Sequence, residues 1–314
     1  MLVVTDLSAT PWPGDRTVLT IGAYDGVHLG HQAVIARVRA EADRLGARSA
    51  VMTFDRHPAS VVRPESAPKL LTDLAQKLEL LGATGVDAAV VVHFDDAQSR
   101  EEPEQFVERV LVRCLQVQRL VVGEDFHFGR DRHGNVDMLR SLGEQYDFEV
   151  LPIDLLSRPD GIDEPISSTA IRRAMAGGQV ELAGALLGRP FEARGVVVQG
   201  DQRGRLLGFP TANVEVPSAV CLPADGVYAG FYRCPDGSMH PCAINLGRRP
   251  TFYAHADHSL LEAHLIDFDG DLYDQAASVQ FTNFLRSERK FSGIEALIEQ
   301  LTLDVDHARS ALGI

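Results

Sequence analysis

The chain has 314 residues, 45% of them hydrophobic and 24% charged, which is too long for one compact core and comfortable for two domains of ordinary globular composition. Its net charge of −14, divided as −9 up to residue 187 and −5 beyond it, excludes the broad basic surface of a general nucleic-acid binder. No run reaches the roughly 18 to 20 apolar residues of a membrane span, and the first residues have neither a basic start nor a long apolar stretch. A cytoplasmic protein with no membrane partner is therefore expected.

The first half alternates strand and helix patterns. Residues 18–22 form a short apolar run ending in glycine. Val34, Ile35, Val38, Ala42 and Leu45 then recur with a helical period across 31–45, and Gly46 is a good stop. Residues 47–54 predict the next strand. Strand, helix, strand is a βαβ unit, whose strands run parallel through a right-handed crossover. The alternation continues with a strand at 86–94, a helix at 103–115, a strand at 119–123, a helix at 135–146 and a strand at 148–153. This predicts a doubly wound α/β domain. A helical tail follows at 167–177 and 181–187.

After Gly188-Arg-Pro190 the pattern changes. Segments 191–200, 226–234, 239–247, 260–268 and 276–286 read as strands without intervening helices, and Asp236-Gly237 marks a hairpin turn. They predict an antiparallel β-barrel, closed by an amphipathic C-terminal helix at Ile294–Leu312. The boundary falls near residue 187, giving domains 1–186 and 187–314. Cys114, Cys221, Cys234 and Cys242 form no metal pattern and read as reduced thiols, although Cys234 and Cys242 could face each other across a hairpin.

Two glycine-rich loops carry the chemistry. Thr20-Ile-Gly-Ala-Tyr-Asp-Gly-Val-His-Leu-Gly-His31 follows the first strand and opens the first helix, where ligands of an open parallel sheet bind. Gly22, Gly26 and Gly30 let the backbone pass close to phosphates, with Asp25 in the same loop, and the helix N-terminus offers amides and positive potential. His28 and His31 lie one helical turn apart and can donate hydrogen bonds to a phosphate whose charge grows as a bond breaks. His-x-Gly-His alone would equally be a pair of surface histidines; its place after the first strand makes it the candidate catalytic pair. Ser167, Ser168 and Thr169 are good helix caps, and a helix starting there aims amides, with Arg172 one turn in, at an anion.

The second loop is Gly200-Asp-Gln-Arg-Gly-Arg-Leu-Leu-Gly-Phe-Pro-Thr-Ala-Asn213. Gly204 and Gly208 permit close approach to phosphates, Pro210 fixes the local backbone, and Thr211 and Asn213 offer hard oxygen ligands for Mg2+. Composition alone would favour a plain hairpin loop. In Leu261-Glu-Ala-His-Leu265 the apolar residues share one strand face and Glu262 takes the other, pointing away from the packed side. His255 and His258 read as members of a surface loop, since no third metal ligand is near.

Residues 20–32 resemble the signature of the nucleotidyltransferase superfamily, most closely its bifunctional riboflavin kinase/FAD synthetase branch. Thr53-Phe-Asp-Arg-His-Pro58 is similar to a second block of that family, which implies His57 near the reacting phosphates. Gly123-Glu-Asp-Phe-His-Phe-Gly129 is similar to a third, which implies Asp125 near the flavin or nucleotide. Ile166-Ser-Ser-Thr-Ala-Ile-Arg172 resembles its phosphate-binding motif, with Ser168, Thr169 and Arg172 as the contacts. Gly208–Asn213 resembles the riboflavin kinase signature, and segments 224–228, 244–252, 261–265, 267–273 and 285–291 follow in the family's order, so that the resemblance spans nearly the whole chain. Ala23-Tyr24 departs from a frequent Asn-Phe or Val-Phe, and Val62 replaces an aromatic found in some relatives.

The resemblance implies a Rossmann-like FMN adenylyltransferase domain and a barrel riboflavin kinase domain, with riboflavin, FMN and ATP as small-molecule partners, FMN and FAD as products and Mg2+ as cofactor. It also implies Glu262 as the base for the riboflavin 5′-hydroxyl and Arg286 as a clamp on phosphate or flavin. The alternatives are an enzyme with one live domain and a flavin-binding sensor built on inactive sites. A homo-oligomer stays open.

Overall fold

Buried at every position, the strands Thr17–Ile21 and Ala88–Val92 show why the first half is so apolar: a parallel sheet covered on both faces needs continuous hydrophobic runs. The computed structural model describes residues 1–154, 156–200, 203–247 and 260–314, in two compact units, Met1–Ser167 and Ser168–Ile314.

In chain order the first unit contains β1 (Leu2–Val4), β2 (Thr17–Ile21), α1 (Leu29–Leu45), β3 (Arg48–Phe54), α2 (Ala59–Val62), α3 (Leu74–Ala83), β4 (Ala88–Val92), α4 (Asp96–Ser99), α5 (Pro103–Phe106), β5 (Val117–Gly123), α6 (Val136–Tyr146) and β6 (Glu149–Ile153). The helix begun by α5 continues as a π-helical stretch over Val107–Cys114 that buries Val107, Val110, Leu111 and Cys114. All sheet pairings are parallel, in the order β1-β4-β3-β2-β5-β6. From β2 the chain winds outward through β3 to β4, then returns to the other side of β2 with β5. The direction therefore reverses between β2 and β5, and the loop after β2 stands at this switch point.

The second unit contains α7 (Ser168–Ala176), α8 (Val180–Leu187), β7 (Phe191–Val198), α9 (Arg203–Leu206), β8 (Ala212–Glu215), β9 (Gly226–Arg233), β10 (Met239–Gly247), β11 (Leu260–Leu265), β12 (Ala276–Arg286) and α10 (Ile294–Leu312). Six antiparallel strands close in the order β10-β11-β8-β7-β12-β9, leaving no open edge. Phe191, Tyr228, Tyr232 and Phe281 fill the interior. α10 packs Ala308 with Ala229, Ala243 and Ile266. Helices α7 and α8, read from sequence as the tail of the first domain, fall in this second unit, and α8 packs on β7 and β12.

The α/β pattern and the barrel match the sequence reading. Six elements escape it, among them the four-residue helices α2, α4 and α9. β1 is a three-residue strand, β8 hides inside the Thr-Ala-Asn motif, and α3 occupies an interval that was assigned no element. All four cysteines are free; Cys242 pairs in register with Gly230 and not with Cys234. His255, His258 and residues 248–252 of the 244–252 motif lie outside the described residues.

Candidate functional sites

At the first loop, His28 caps α1. Its backbone is extended, and its Nδ1 accepts a hydrogen bond from the His31 amide at 3.3 Å. A neutral imidazole that accepts at Nδ1 carries its proton on Nε2, so the cap fixes His28 as an Nε2–H donor. The two imidazoles stack, with ring centroids 3.6 Å apart, and the Tyr24 ring lies 4.7 Å from that of His31, tilted by 44°. A β-carbon on Gly30 would come within 3.1 Å of His28 Nδ1 and 3.2 Å of the Ile166 carbonyl oxygen, so only glycine lets the His28 ring lie back over the helix start. Burial, His28 and the cation of Lys77 together push the His31 pKa well below the usual imidazole value, and its buried Nδ1 has no hydrogen-bond partner among the described residues.

The loop is held under strain. Tyr24 and Val27 are buried at positive φ, 49° and 40°, a conformation that a β-branched residue rarely takes. Asp25, expected to face phosphate, turns inward. Its Oδ1 accepts from the amides of Leu71 (2.9 Å) and Thr72 (3.1 Å), while the Thr72 hydroxyl receives the Gly26 amide at 3.1 Å. A carboxylate aimed at ATP would repel it; turned inward, it anchors the loop that carries the histidines. Gly22 lies under the Tyr24 ring, and the Tyr24 hydroxyl meets Thr20 Oγ1 at 2.7 Å.

Lys77, which the sequence reading did not select, lies directly behind this loop with 8% of its surface exposed. Its Nζ donates to the Phe54 carbonyl (2.8 Å), Thr53 Oγ1 (3.0 Å) and the Ala23 carbonyl (3.2 Å). Its signal in sequence is its position on the apolar stripe of α3 with Leu74, Leu78 and Leu81. His57 follows the same β3 end; its Nδ1 accepts from the Ala59 amide at 3.1 Å, which again leaves the proton on Nε2. Asp125 is exposed in the turn after β5. Ser168, Thr169 and Arg172 occupy the first turns of α7, in the second unit.

In the barrel, Pro210, Thr211 and Asn213 line a cavity of about 570 Å³ with Arg205, Phe268, Asp269, Asp271 and Tyr273, a volume in the range of small-molecule sites. Gly208 has φ of 87°, and Gly204 accepts the Phe209 amide at 2.8 Å, closing the turn ahead of the motif. His264 Nδ1 contacts the Pro210 carbonyl oxygen at 2.7 Å; since a carbonyl only accepts, this nitrogen carries the proton. Asn213 is buried, and its Oδ1 has no partner among the described residues. Glu262 pairs in register with Asn213 on one side and Asn245 on the other, so the three side chains share one face, with a long 3.5 Å contact from Asn245 Nδ2 to Glu262 Oε2. The burial of β11 alternates as expected, with residues 261, 263 and 265 buried.

Arg286 is placed differently from expectation. Its guanidinium grips the buried Asp304 of α10 in a two-pronged bond of 2.7 and 2.6 Å, and its remaining nitrogen donates to the Ser287 carbonyl at 3.0 Å. A buried carboxylate requires a cation, and Arg286 supplies it, joining α10 to β12. The expected clamp on phosphate or flavin forms no part of this pairing.

The chain matches the FAD synthetase family model over residues 12–170 and the riboflavin kinase model over residues 187–312. A bifunctional riboflavin kinase/FMN adenylyltransferase of Pseudomonas fluorescens is 42% identical, covering 93% of this chain and 92% of its own. Proteins so described from Listeria monocytogenes and Escherichia coli K12 are 37% and 36% identical, covering 97% and 99% of this chain and 95% and 97% of their own. A Streptococcus pneumoniae crystal structure described as a macrolide-efflux protein has the same fold, with a TM-score of 0.86 and 27% identity over 98% of both chains. Among the described residues, no helix of this chain is long and apolar enough to cross a membrane.

Proposed function

The chain belongs to the bifunctional riboflavin kinase/FMN adenylyltransferase family, and from that premise we propose how its residues divide the two reactions. The protein phosphorylates riboflavin to FMN in the barrel and adenylylates FMN to FAD in the α/β region, with ATP as co-substrate of both. We place the functional boundary near residue 187, where the riboflavin kinase match begins, and assign residues 1–186 to adenylylation and 187–314 to phosphorylation.

In adenylylation an oxygen of the FMN phosphate attacks the α-phosphorus of ATP, the bond to the β-phosphate breaks and pyrophosphate leaves. His28 and His31 steady the charge that builds on the phosphates, with His57, Gly22, Gly26 and Gly30 holding the nucleotide and Asp125 facing the flavin or nucleotide; Ser168, Thr169 and Arg172 contact phosphate, as the family motif implies. The observation that carries this reading is the fixed Nε2–H tautomer of His28 at a helix N-terminus on the sheet's switch point. Asp25 acts through the loop it anchors.

In phosphorylation Glu262 accepts the proton of the riboflavin 5′-hydroxyl as that oxygen attacks the γ-phosphorus and ADP leaves. Gly204, Gly208, Pro210, Thr211 and Asn213 cradle the ATP phosphates. The unpartnered buried Oδ1 of Asn213 fits a hard cation, so Thr211 and Asn213 would hold Mg2+, which supplies charge neutralisation for the transferred phosphoryl group. We place no nucleic acid among the partners, on the net charge of −14, and no membrane, since no run of the sequence reaches the length of an apolar span, and assign the protein to the cytoplasm.

Incubating the purified protein with riboflavin, ATP and Mg2+ and separating the flavins over time tests the reading. FMN rising first and FAD later is expected. FMN accumulating without FAD would leave only the kinase, and no product would leave a flavin sensor.

A further inference from the structure

We propose that Lys77 is a positioning residue for adenylylation, its buried ammonium clamping the histidine-bearing loop to the end of β3. The inference rests on the adenylylation reading of the α/β region, in which no chemical step uses Lys77.

The geometry is specific. The three acceptors of Nζ come from two segments that meet only in the fold: Ala23 from the loop after β2, and Thr53 and Phe54 from the end of β3. The Ala23 carbonyl also receives the Thr53 hydroxyl at 2.9 Å, so lysine, threonine and loop form a closed buried triangle. The next residue, Tyr24, has positive φ, and strained backbone of this kind persists only where its surroundings over-determine it. Lys77 tightens the loop from one side and Asp25 with Thr72 from the other. Tyr24 leans on His31, so a shift of the Ala23 carbonyl is transmitted to the catalytic ring.

The charge matters separately from the clamp. Burial pushes the Lys77 pKa down to about 8, while Asp25 from the loop and Asp55 from the end of β3 pull it back up. Asp55 is itself held by His93, Arg56 and the Phe94 amide. From α1, His31 faces the ammonium, which makes a proton on that imidazole unfavourable. Lys77 is thus charged at neutral pH and loses its proton in a range where an ordinary lysine does not. Sign matters here: the unfolded chain keeps this proton to higher pH, so deprotonation between about 8 and 10 raises stability while it slackens the charged clamp. Activity and stability should move in opposite directions.

The test measures FAD formation from FMN and ATP by the full-length protein, K77R and K77M from about pH 6.5 to 10, with riboflavin phosphorylation in the same samples as a control on folding. For the wild type, kcat for FAD should fall on the alkaline side with a midpoint near 8, with no loss of thermal stability. In K77R that midpoint should move above about 10, because guanidinium keeps its proton. K77M should lose about tenfold or more of kcat at neutral pH with ATP KM changed less than about threefold, and should lack the midpoint near 8. An alkaline fall that stays near 8 in K77R, a wild type with no such fall, or a K77M profile equal to wild type would overturn the inference. Should K77M fail to fold, the wild-type and K77R profiles decide it. A wild type that forms no FAD at any pH would remove the adenylylation reading itself, and this inference with it.

Discussion

His28 and His31 lie face to face, 3.6 Å between ring centroids, with the amide of one bonded to Nδ1 of the other. Burial first, and then the cost of a second charge beside His28, keep His31 neutral, and the bound phosphates are what would favour a proton there.

Replacing either ring should therefore strike one reaction only. His28→Ala and His31→Ala are expected to slow FAD formation by at least about a hundredfold, the usual effect of losing one transition-state donor, and to leave riboflavin phosphorylation within about twofold. Separated flavin products read out both rates, and equal loss of both would refute the division into two sites.

The His31 pKa makes a claim about stability. Folding lowers it, so the unfolded chain binds the proton first as pH falls. The stability it contributes is whole above about pH 6.5 and is lost as pH drops from there toward the folded value. Urea midpoints of the wild type should fall between about pH 7 and 5, and those of His31→Asn more shallowly over the same range. Parallel curves would mean that His31 does not titrate on unfolding.

At the barrel, Glu262→Gln keeps the side chain's shape beside Asn213 and Asn245 and removes its basicity. Riboflavin phosphorylation is expected to drop by at least about a hundredfold while riboflavin still binds, as flavin fluorescence would report, and FAD formation from supplied FMN continues. An enzyme with full kinase activity would take Glu262 out of the mechanism.

Arg286→Ala should behave as a stability variant. It leaves Asp304, 4% exposed at its side chain, without its cation, at a cost of about 2–3 kcal/mol once the partial exposure of Arg286 is discounted. Denaturant unfolding should show this shift, with KM for ATP little changed at temperatures where the barrel stays folded. A raised KM in a barrel of unchanged stability would restore Arg286 to the phosphate site.

Much of this was legible in the linear sequence, for identifiable reasons. The βαβ alternation and the barrel strands follow periodicity, and the two glycine loops, the histidine pair and Glu262 stand out by local pattern together with the family resemblance. Orientation was not legible. Asp25 meets Leu71 and Thr72, and Arg286 meets Asp304, across separations of 46, 47 and 18 residues that no local pattern encodes. Lys77 lies in an interval that the sequence reading gives no element, and only the packing of α3 beside β3 turns it inward. β8 is four residues long and overlaps the motif that carries Thr211 and Asn213, so its strand character was masked by its loop signal.

The most direct measurement mixes two variants, each with one inactive site. His28→Ala should turn riboflavin into FMN and stop there, and Glu262→Gln should turn FMN into FAD yet do nothing with riboflavin. Combined in one vessel with riboflavin, ATP and Mg2+, they are expected to yield FAD after a lag while FMN builds up. A mixture that makes no FAD, although each protein performs its remaining reaction alone, would contradict two independent sites exchanging FMN through solution.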